Sequence, residues 1–276
     1  MTSARVLISC GGTILRVGLV VAATALAGCG GGAPRGGAGT PAPTPSPSPD
    51  QAQVVEAIFS RYAEAVGGQE AVDRVESYAL KGRFEVTGSD LKLPVEVYFE
   101  KPGKSLMVIE VPRVGVIRRG RGGDGRAWVQ TPFAAGARAT GDSPDELSEV
   151  ERDHDLYKAG RIRELYQEVK LEGKARLKGR DVYVVEGKPA EGPAEKMLFD
   201  VETGLLLRWD VVRRAPGRPN VFARVYLEDY REVGGVKVPF TVRYYFEPRE
   251  MILRLEEVKH DVPLDDAMFE RPQGGR

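Results

Sequence analysis

The residues best equipped for chemistry are few. Among 276 residues there are two histidines and two cysteines. His154 sits in Glu151-Arg152-Asp153-His154-Asp155, whose residue types would suit a His-Asp base or a metal cluster. A zinc site, however, needs three or four such donors, and no second His or Cys stands at ligand spacing. A solvated helix surface is the simpler reading. His260-Asp261 likewise reads as the end of a strand. Gly120-Arg121-Gly122-Gly123-Asp124-Gly125 matches the glycine pattern of a dinucleotide loop, but Ala127-Trp128-Val129 follows as a strand where a helix would have to present its N-terminus to pyrophosphate. The glycines are therefore read as a flexible turn. There is no nucleophile elbow and no phosphate-binding loop. The expectation is a protein that is not an enzyme and needs neither cofactor nor metal, with a hydrolase as the most remote alternative.

Arg113, Arg118, Arg119, Arg121 and Arg126 form the one basic cluster, with Asp124 as the local counter-charge. Two readings stand. Arg118, Arg119 and Arg121 could contact anionic headgroups or an acidic partner, or they are ordinary charges on a solvent-facing strand and loop. Nucleic acid is excluded by the balance of the chain. Lys+Arg and Asp+Glu are 40 each, and the first 50 residues hold Arg5, Arg16, Arg35 and Asp50, leaving 37 against 39.

Cys29 is the one side chain with a clear chemical fate. Arg5 and Arg16 are the only charges in the first 28 residues, and the apolar run Val17 to Leu26 is too short to span a bilayer. Leu26-Ala27-Gly28-Cys29 resembles a bacterial lipobox. That resemblance implies cleavage after residue 28, a diacylated Cys29 thiol and a further lipid, such as palmitate, on its amine. The alternative is a plain secretory signal with an incidental cysteine. Residues 30 to 50, with Pro34, Pro41, Pro43, Pro45, Pro47 and Pro49, favour an extended, hydrated backbone and read as a tether. Gly30 is not the acidic residue that retains some lipoproteins in the inner membrane, which favours an outer-membrane anchor facing the periplasm. Cys10 leaves with the signal and Cys29 is used by lipid, so no disulfide is available.

The organisation expected is thus a signal peptide over 1–28, a lipidated cysteine and tether over 29–50, and one domain over 51–276. Val54, Val55, Ile58, Phe59, Tyr62, Ala63 and Val66 share one helical face, which Gly67-Gly68 ends. A short helical turn over Gln69 to Val75 follows. Period two then takes over in Tyr78, Leu80, Gly82, Phe84 and Val86, and again in Leu93, Val95, Val97 and Phe99. Gly234-Gly235 predicts a two-residue hairpin in which Val233 faces Val236, Leu227 faces Val242, Val225 faces Tyr244 and Ala223 faces Phe246. Arg224, Glu228, Thr241, Arg243 and Tyr245 fall on the other side. Further hairpins are expected to turn near Lys178-Gly179 and at Glu202-Thr203-Gly204, and a second long helix is expected over Ser143 to Tyr166. The count is about ten strands.

These segments together resemble the outer membrane lipoprotein-sorting (LolA/LolB-like) superfamily. The likeness rests on the order of Ala65-Val66-Gly67-Gly68-Gln69-Glu70-Ala71, Gly123-Asp124-Gly125-Arg126-Ala127-Trp128, Leu198 to Leu206, Asp229 to Phe240 and the closing Val258 to Pro272, and it spans essentially all of 51–276. It implies an α+β, mainly antiparallel β fold: a curved half-open β-barrel covered by helices, binding acyl chains of lipids or lipoproteins in its apolar concavity. The carrier of that group is soluble, so a lipid-anchored chain stands closer to its membrane-bound members. Val225, Leu227, Phe240, Val242, Tyr244 and Phe246 either line such a cavity or simply pack a closed core. The function implied is a monomeric, membrane-anchored envelope protein that binds a lipid or lipoprotein acyl chain, with a role in lipid or lipoprotein transfer. Chain length rather than headgroup should then dominate affinity. The alternative is an anchored protein-interaction or envelope assembly module with a closed β core.

Overall fold

The computed structural model describes residues 49–132, 137–139, 162–190, 192–213 and 221–272, together with the pairs 9–10 and 13–14. The segment read as signal peptide and tether, Cys29 included, lies outside the described residues except for two short strands and the start of the first helix. Those strands, β1 (Ser9–Cys10) and β2 (Thr13–Ile14), pair only with each other. His154 and residues 143–161 of the expected second long helix also lie outside, and residues 162–165 form a turn.

Helix α1 (Pro49–Ala65) starts with proline, whose missing N–H costs nothing at a first position, and with Asp50 in its first turn. Of its expected apolar stripe, Val55, Ile58, Phe59 and Tyr62, continued by Val66 just beyond the helix, are buried, whereas Val54 at one border is exposed and Ala63 is half-buried. At about 1.5–3 kcal/mol per buried side chain this stripe, rather than helix propensity, holds the helix. Gly67 and Gly68, at φ +125° and +91°, end it, and α2 (Gln69–Arg74) follows.

The rest is one antiparallel sheet of thirteen strands, more than the ten or so expected. Its first half is β3 (Ser77–Val86), β4 (Lys92–Glu100), β5 (Lys104–Val111), β6 (Gly115–Arg121), β7 (Ala127–Gln130) and β8 (Ala137–Ala139). The second half is β9 (Glu168–Leu177), β10 (Arg180–Lys188), β11 (Glu195–Asp200), β12 (Leu206–Arg213), β13 (Val221–Val233), β14 (Val236–Phe246) and β15 (Arg249–His260). Each half is a meander of sequence neighbours, and the two join where β3 pairs with β15. The outer strands β8 and β9 do not pair with each other, so the sheet is open. Strand β6 is hard to recognise in the sequence because Arg119 and Arg121 occupy positions where alternation asks for apolar residues. Edge strand β9 carries Lys170, Glu172, Lys174 and Arg176, charges that discourage pairing with another chain.

The Gly-Gly hairpin has the expected register. Val233 pairs with Val236, Leu227 with Val242 and Val225 with Tyr244, and Gly234 and Gly235 both have positive φ as a two-residue turn of this kind requires. The hairpins at Lys178-Gly179 and Glu202-Thr203-Gly204 are likewise present.

One turn fastens α1 to the sheet. The Asp200 carboxylate, only 1% exposed, accepts at Oδ1 from Glu202 N (3.0 Å), Thr203 N (2.6 Å) and Thr203 Oγ1 (2.9 Å), while Oδ2 lies 2.6 Å from Arg180 Nε. Arg61 Nη2 of α1 donates to the Glu202 carbonyl at 2.7 Å. Burial by itself would raise the Asp200 pKa, but the Thr203 bonds and Arg180 outweigh it and hold the carboxyl below its ordinary 3.8. The stabilisation is therefore complete above about pH 4 and is lost as pH falls through the depressed folded value. Replacing Asp200 with Ala is expected to cost about 3 kcal/mol at neutral pH and to flatten the acid limb of the stability curve, measured by urea unfolding between neutral and acid pH. An unchanged acid limb would show that Asp200 is not a titrating support.

Candidate functional site

Cross-strand partners share a face, so the register sorts every side chain of the sheet. On β3 to β7 the inner rows read Leu80, Val97, Met107, Arg119, Val129, then Gly82, Val95, Ile109, Ile117, then Tyr78, Phe99, Ser105, Arg121, Ala127. The face continues through Met251, Leu253 and Leu255 of β15, Val242 and Tyr244 of β14, Val225 and Leu227 of β13, and Trp209 and Met197. It forms one apolar cluster that also includes the buried face of α1.

Coverage of this face is uneven. Over β11 and the turn that follows it α1 packs closely: Phe199 meets Phe59 (ring centroids 5.8 Å apart) and Tyr62 (5.4 Å) edge to face. Elsewhere Val86, Leu91, Met107, Val111, Ile117, Tyr244 and Phe246 pack on the cluster but remain only half-buried. Tyr244 and Phe246 lie parallel with centroids 6.3 Å apart, and Phe84 approaches Tyr244 at 6.4 Å. These half-buried residues come from β3, the residue just before β4, β5, β6 and the end of β14. They form an apolar margin accessible to solvent.

The six residues singled out from the sequence do fall in this one cluster, but in two states. Val225, Leu227, Phe240 and Val242 are buried, whereas Tyr244 and Phe246 are at the half-open margin. Met107, Val111 and Ile117 join them there and were missed, because their strands pair far from the hairpin in sequence. Their alternation with Glu110 and Arg118 was the available signal.

The arginines are not brought together. Arg118 points to the outer face, where Nη1 donates to Gln130 Oε1 at 3.3 Å. Arg119 and Arg121 lie on the inner face, and Arg121 Nε donates to the Gly125 carbonyl at 3.2 Å. Arg113 is exposed at the turn between β5 and β6, and Arg126 is exposed beside Asp124. Gly120 and Arg121 end strand β6, and Gly122 to Arg126 make the turn to β7, as the strand after them requires. A side chain at Gly120 would overlap the Trp128 indole, which belongs to a separate outer cluster with Leu106 and Phe269. Trp128 Nε1 donates to the Phe269 carbonyl at 2.8 Å and so fixes the C-terminal segment on the outer face.

His260 sits on the inner face opposite Tyr78 and against Gly234, where burial lowers its pKa. Among the described residues no group of three or more His, Cys, Asp and Glu could hold a metal ion. No described helix is long and apolar enough to cross a membrane.

An open antiparallel sheet with one continuous apolar face and a helix packed against part of it is a fold shared with several solved structures of low sequence identity. Among solved structures, the chain is similar to a DUF1329 family protein from Desulfovibrio piger, with 19% identity and a TM-score of 0.55 over 78% of this chain and 97% of that one. It is also similar to a domain described as an outer membrane lipoprotein-sorting protein from Vibrio parahaemolyticus, with 11% identity and a TM-score of 0.54 over 77% and 94%. A LolA superfamily protein from Nitrosomonas europaea aligns at 12% identity with a TM-score of 0.54 over 78% and 97%. No protein-family model matches the sequence. No curated protein matches it either.

Proposed function

We propose that this domain binds the acyl chain of a lipid or lipoprotein against its inner face, without catalysis, and that α1 covers part of the bound chain. The observation that carries this reading is the half-buried apolar margin formed by Met107, Val111, Ile117, Tyr244 and Phe246, continuous with the buried core. Apolar side chains left partly wet next to a packed core mark a surface with something to cover it. Likeness in fold to a domain described as lipoprotein-sorting and to a LolA superfamily protein supports the same reading. Lipidated Cys29 and its proline-rich tether would hold a monomeric domain at the envelope, with the outer membrane, periplasmic side, as the site the sequence favours.

A second reading has one specific observation in its favour. Val225, Leu227, Phe240 and Val242 are already buried by the protein's own side chains, as a protein-interaction module with a filled core would have them. Native mass spectrometry of the full chain from an envelope fraction, followed by solvent extraction, separates the two. Extraction removes cargo but leaves the covalent anchor on the protein. One lipid per chain in the extract is the expected result. A protein that is free of cargo, and stays so with added phospholipids and lipopeptides, would favour the interaction module.

A further inference from the structure

The register orders the ends of the strands as well as their faces. Gly234-Gly235, Lys101 to Gly103, Gly122 to Arg126, Lys178-Gly179 and Glu202 to Gly204 turn at one end of the sheet, and residues 87–91, 112–114 and 247–248 turn at the other. Three features gather at that second end. The half-buried Val86, Leu91, Val111, Ile117, Tyr244 and Phe246 all stand in or close to its turns. The large apolar side chains that are exposed among the described residues, Val54, Val114 and Phe222, are there too: Val114 in the 112–114 turn, Phe222 at the start of β13 and Val54 near the start of α1. Helix α1 also begins here. Its last turn is fixed at the opposite end, where Lys237 N bonds the Val66 carbonyl. Glu56, by contrast, accepts from Arg163 Nε at 2.7 Å, and Arg163 Nη1 donates to the Tyr166 carbonyl just before β9 at 2.9 Å. The chain before Pro49, Cys29 included, therefore joins the domain at the end that carries the exposed apolar residues.

We infer that this end of the sheet docks on the surface of a lipid bilayer, with Val114 and Phe222 entering the headgroup region, so that the half-buried margin opens onto the membrane rather than onto water. Exposed apolar side chains gathered at one end mark an interaction surface, and their disposition says which kind. Phe222 stands on the outer row of β13, Val114 at the tip of a turn, and Val54 on the helix that covers the inner face. A protein partner seated on one face would leave some of them wet, whereas a plane pressed against the end meets residues from every side. Lys92, Arg113 and Arg249 are exposed at this end, and so are Asp90, Glu110 and Glu247. These charges balance, so apolar contact rather than attraction to anionic headgroups holds the end down. The tether permits other orientations but brings this end nearest to the bilayer. The inference rests on the acyl-binding reading for the role of the margin, and adds the surface it faces: cargo passes between the sheet and the bilayer without crossing water.

The test places one bimane-labelled cysteine in the full chain, as Val114→Cys, Phe222→Cys, Arg249→Cys or, at the opposite end, Glu232→Cys. Each protein is reconstituted with phosphatidylcholine vesicles whose acyl chains carry bromine, a contact quencher, and the unsubstituted chain serves as the blank. All four positions are exposed, so the labels leave the core intact. Labels at Val114, Phe222 and Arg249 are expected to lose at least about half of their emission, and the label at Glu232 to keep its own. With the label at Arg249, adding Val114→Asp and Phe222→Asp should restore the emission, since carboxylates resist transfer out of water. Phosphatidylglycerol in the vesicles should change the quenching by less than about twofold, and a larger gain would overturn apolar contact as the cause. Quenching at Glu232 alone, or equally at all four sites, overturns the orientation. No quenching anywhere overturns the docking and gives this end to a protein partner. Lipid carried by the same samples is read by native mass spectrometry. Cargo in a protein quenched at Glu232 alone keeps the acyl-binding reading and overturns this inference, whereas quenching at Val114 and Phe222 without cargo does the reverse.

Discussion

Each methylene added to an acyl ligand is expected to tighten its binding about fourfold, because burying one CH2 is worth about 0.8 kcal/mol. Lengthening a saturated chain by about eight methylenes should therefore gain about five orders of magnitude, until the chain outgrows the apolar face. The margin residues set where that limit falls. Replacing Tyr244 and Phe246 together by Ser removes two half-buried rings from the face while leaving the buried Val225, Leu227 and Val242 in place. The doubly substituted protein should keep its fold and bind long chains at least about tenfold more weakly. Isothermal titration against a homologous series of lysophospholipids measures both effects. Equal affinity along the series would refute apolar capture and leave the interaction module as the better account. A plateau shared by the natural and substituted proteins would place the chain elsewhere on the sheet.

Replacing Gly67 by Ala is expected to destabilise the domain by about 3–4 kcal/mol, while the same change at Gly68 costs about 1–2. Both residues have positive φ, so both changes strain the backbone. They differ in what an added Cβ would meet. At Gly67 it overlaps the Gly235 carbonyl oxygen, and neither partner is a side chain that can swing away, whereas at Gly68 nothing lies within 4 Å. The close approach comes from the bond that Lys237 N donates to the Val66 carbonyl at 2.7 Å, which docks the end of α1 on the tip of the β13–β14 hairpin. At about 2–4 °C per kcal/mol for a domain of this size, Gly67→Ala should melt about 10 °C below the natural protein. Calorimetry of the two variants decides the point. Equal losses would mean that backbone strain alone matters and that the docking adds nothing.

The docking also explains why a pair of glycines that ends a helix and another that turns a hairpin are both needed. Read locally, each pair has a sufficient reason of its own: one stops α1, the other closes a two-residue loop. The contact between them is a property of neither segment alone. The same holds for Gly120, which lies beside the Trp128 indole on the neighbouring strand.

What the sequence determined by itself is the local part of the fold: the buried stripe of α1, its end at Gly67-Gly68, and the register of the β13–β14 hairpin down to the pairing of Leu227 with Val242 and Val225 with Tyr244. A tight turn leaves few registers, and period-two alternation selects the one that keeps apolar residues on a single face, so these features need no knowledge of distant segments. The lipobox-like Leu26 to Cys29 and the absence of any complete catalytic motif were equally local. Only the tertiary structure decided that β3 pairs with β15, that Met107, Val111 and Ile117 are half-buried against the same core as Tyr244 and Phe246, and that Arg118 faces outward while Arg119 and Arg121 face in. Each of these depends on segments far apart in the chain, brought together by burial of a common apolar face. Strand β6 shows the reason most plainly: the inner face of a sheet is fixed by its neighbours, and Arg119 and Arg121 stand on it because they pair with Met107 and Ser105 of β5.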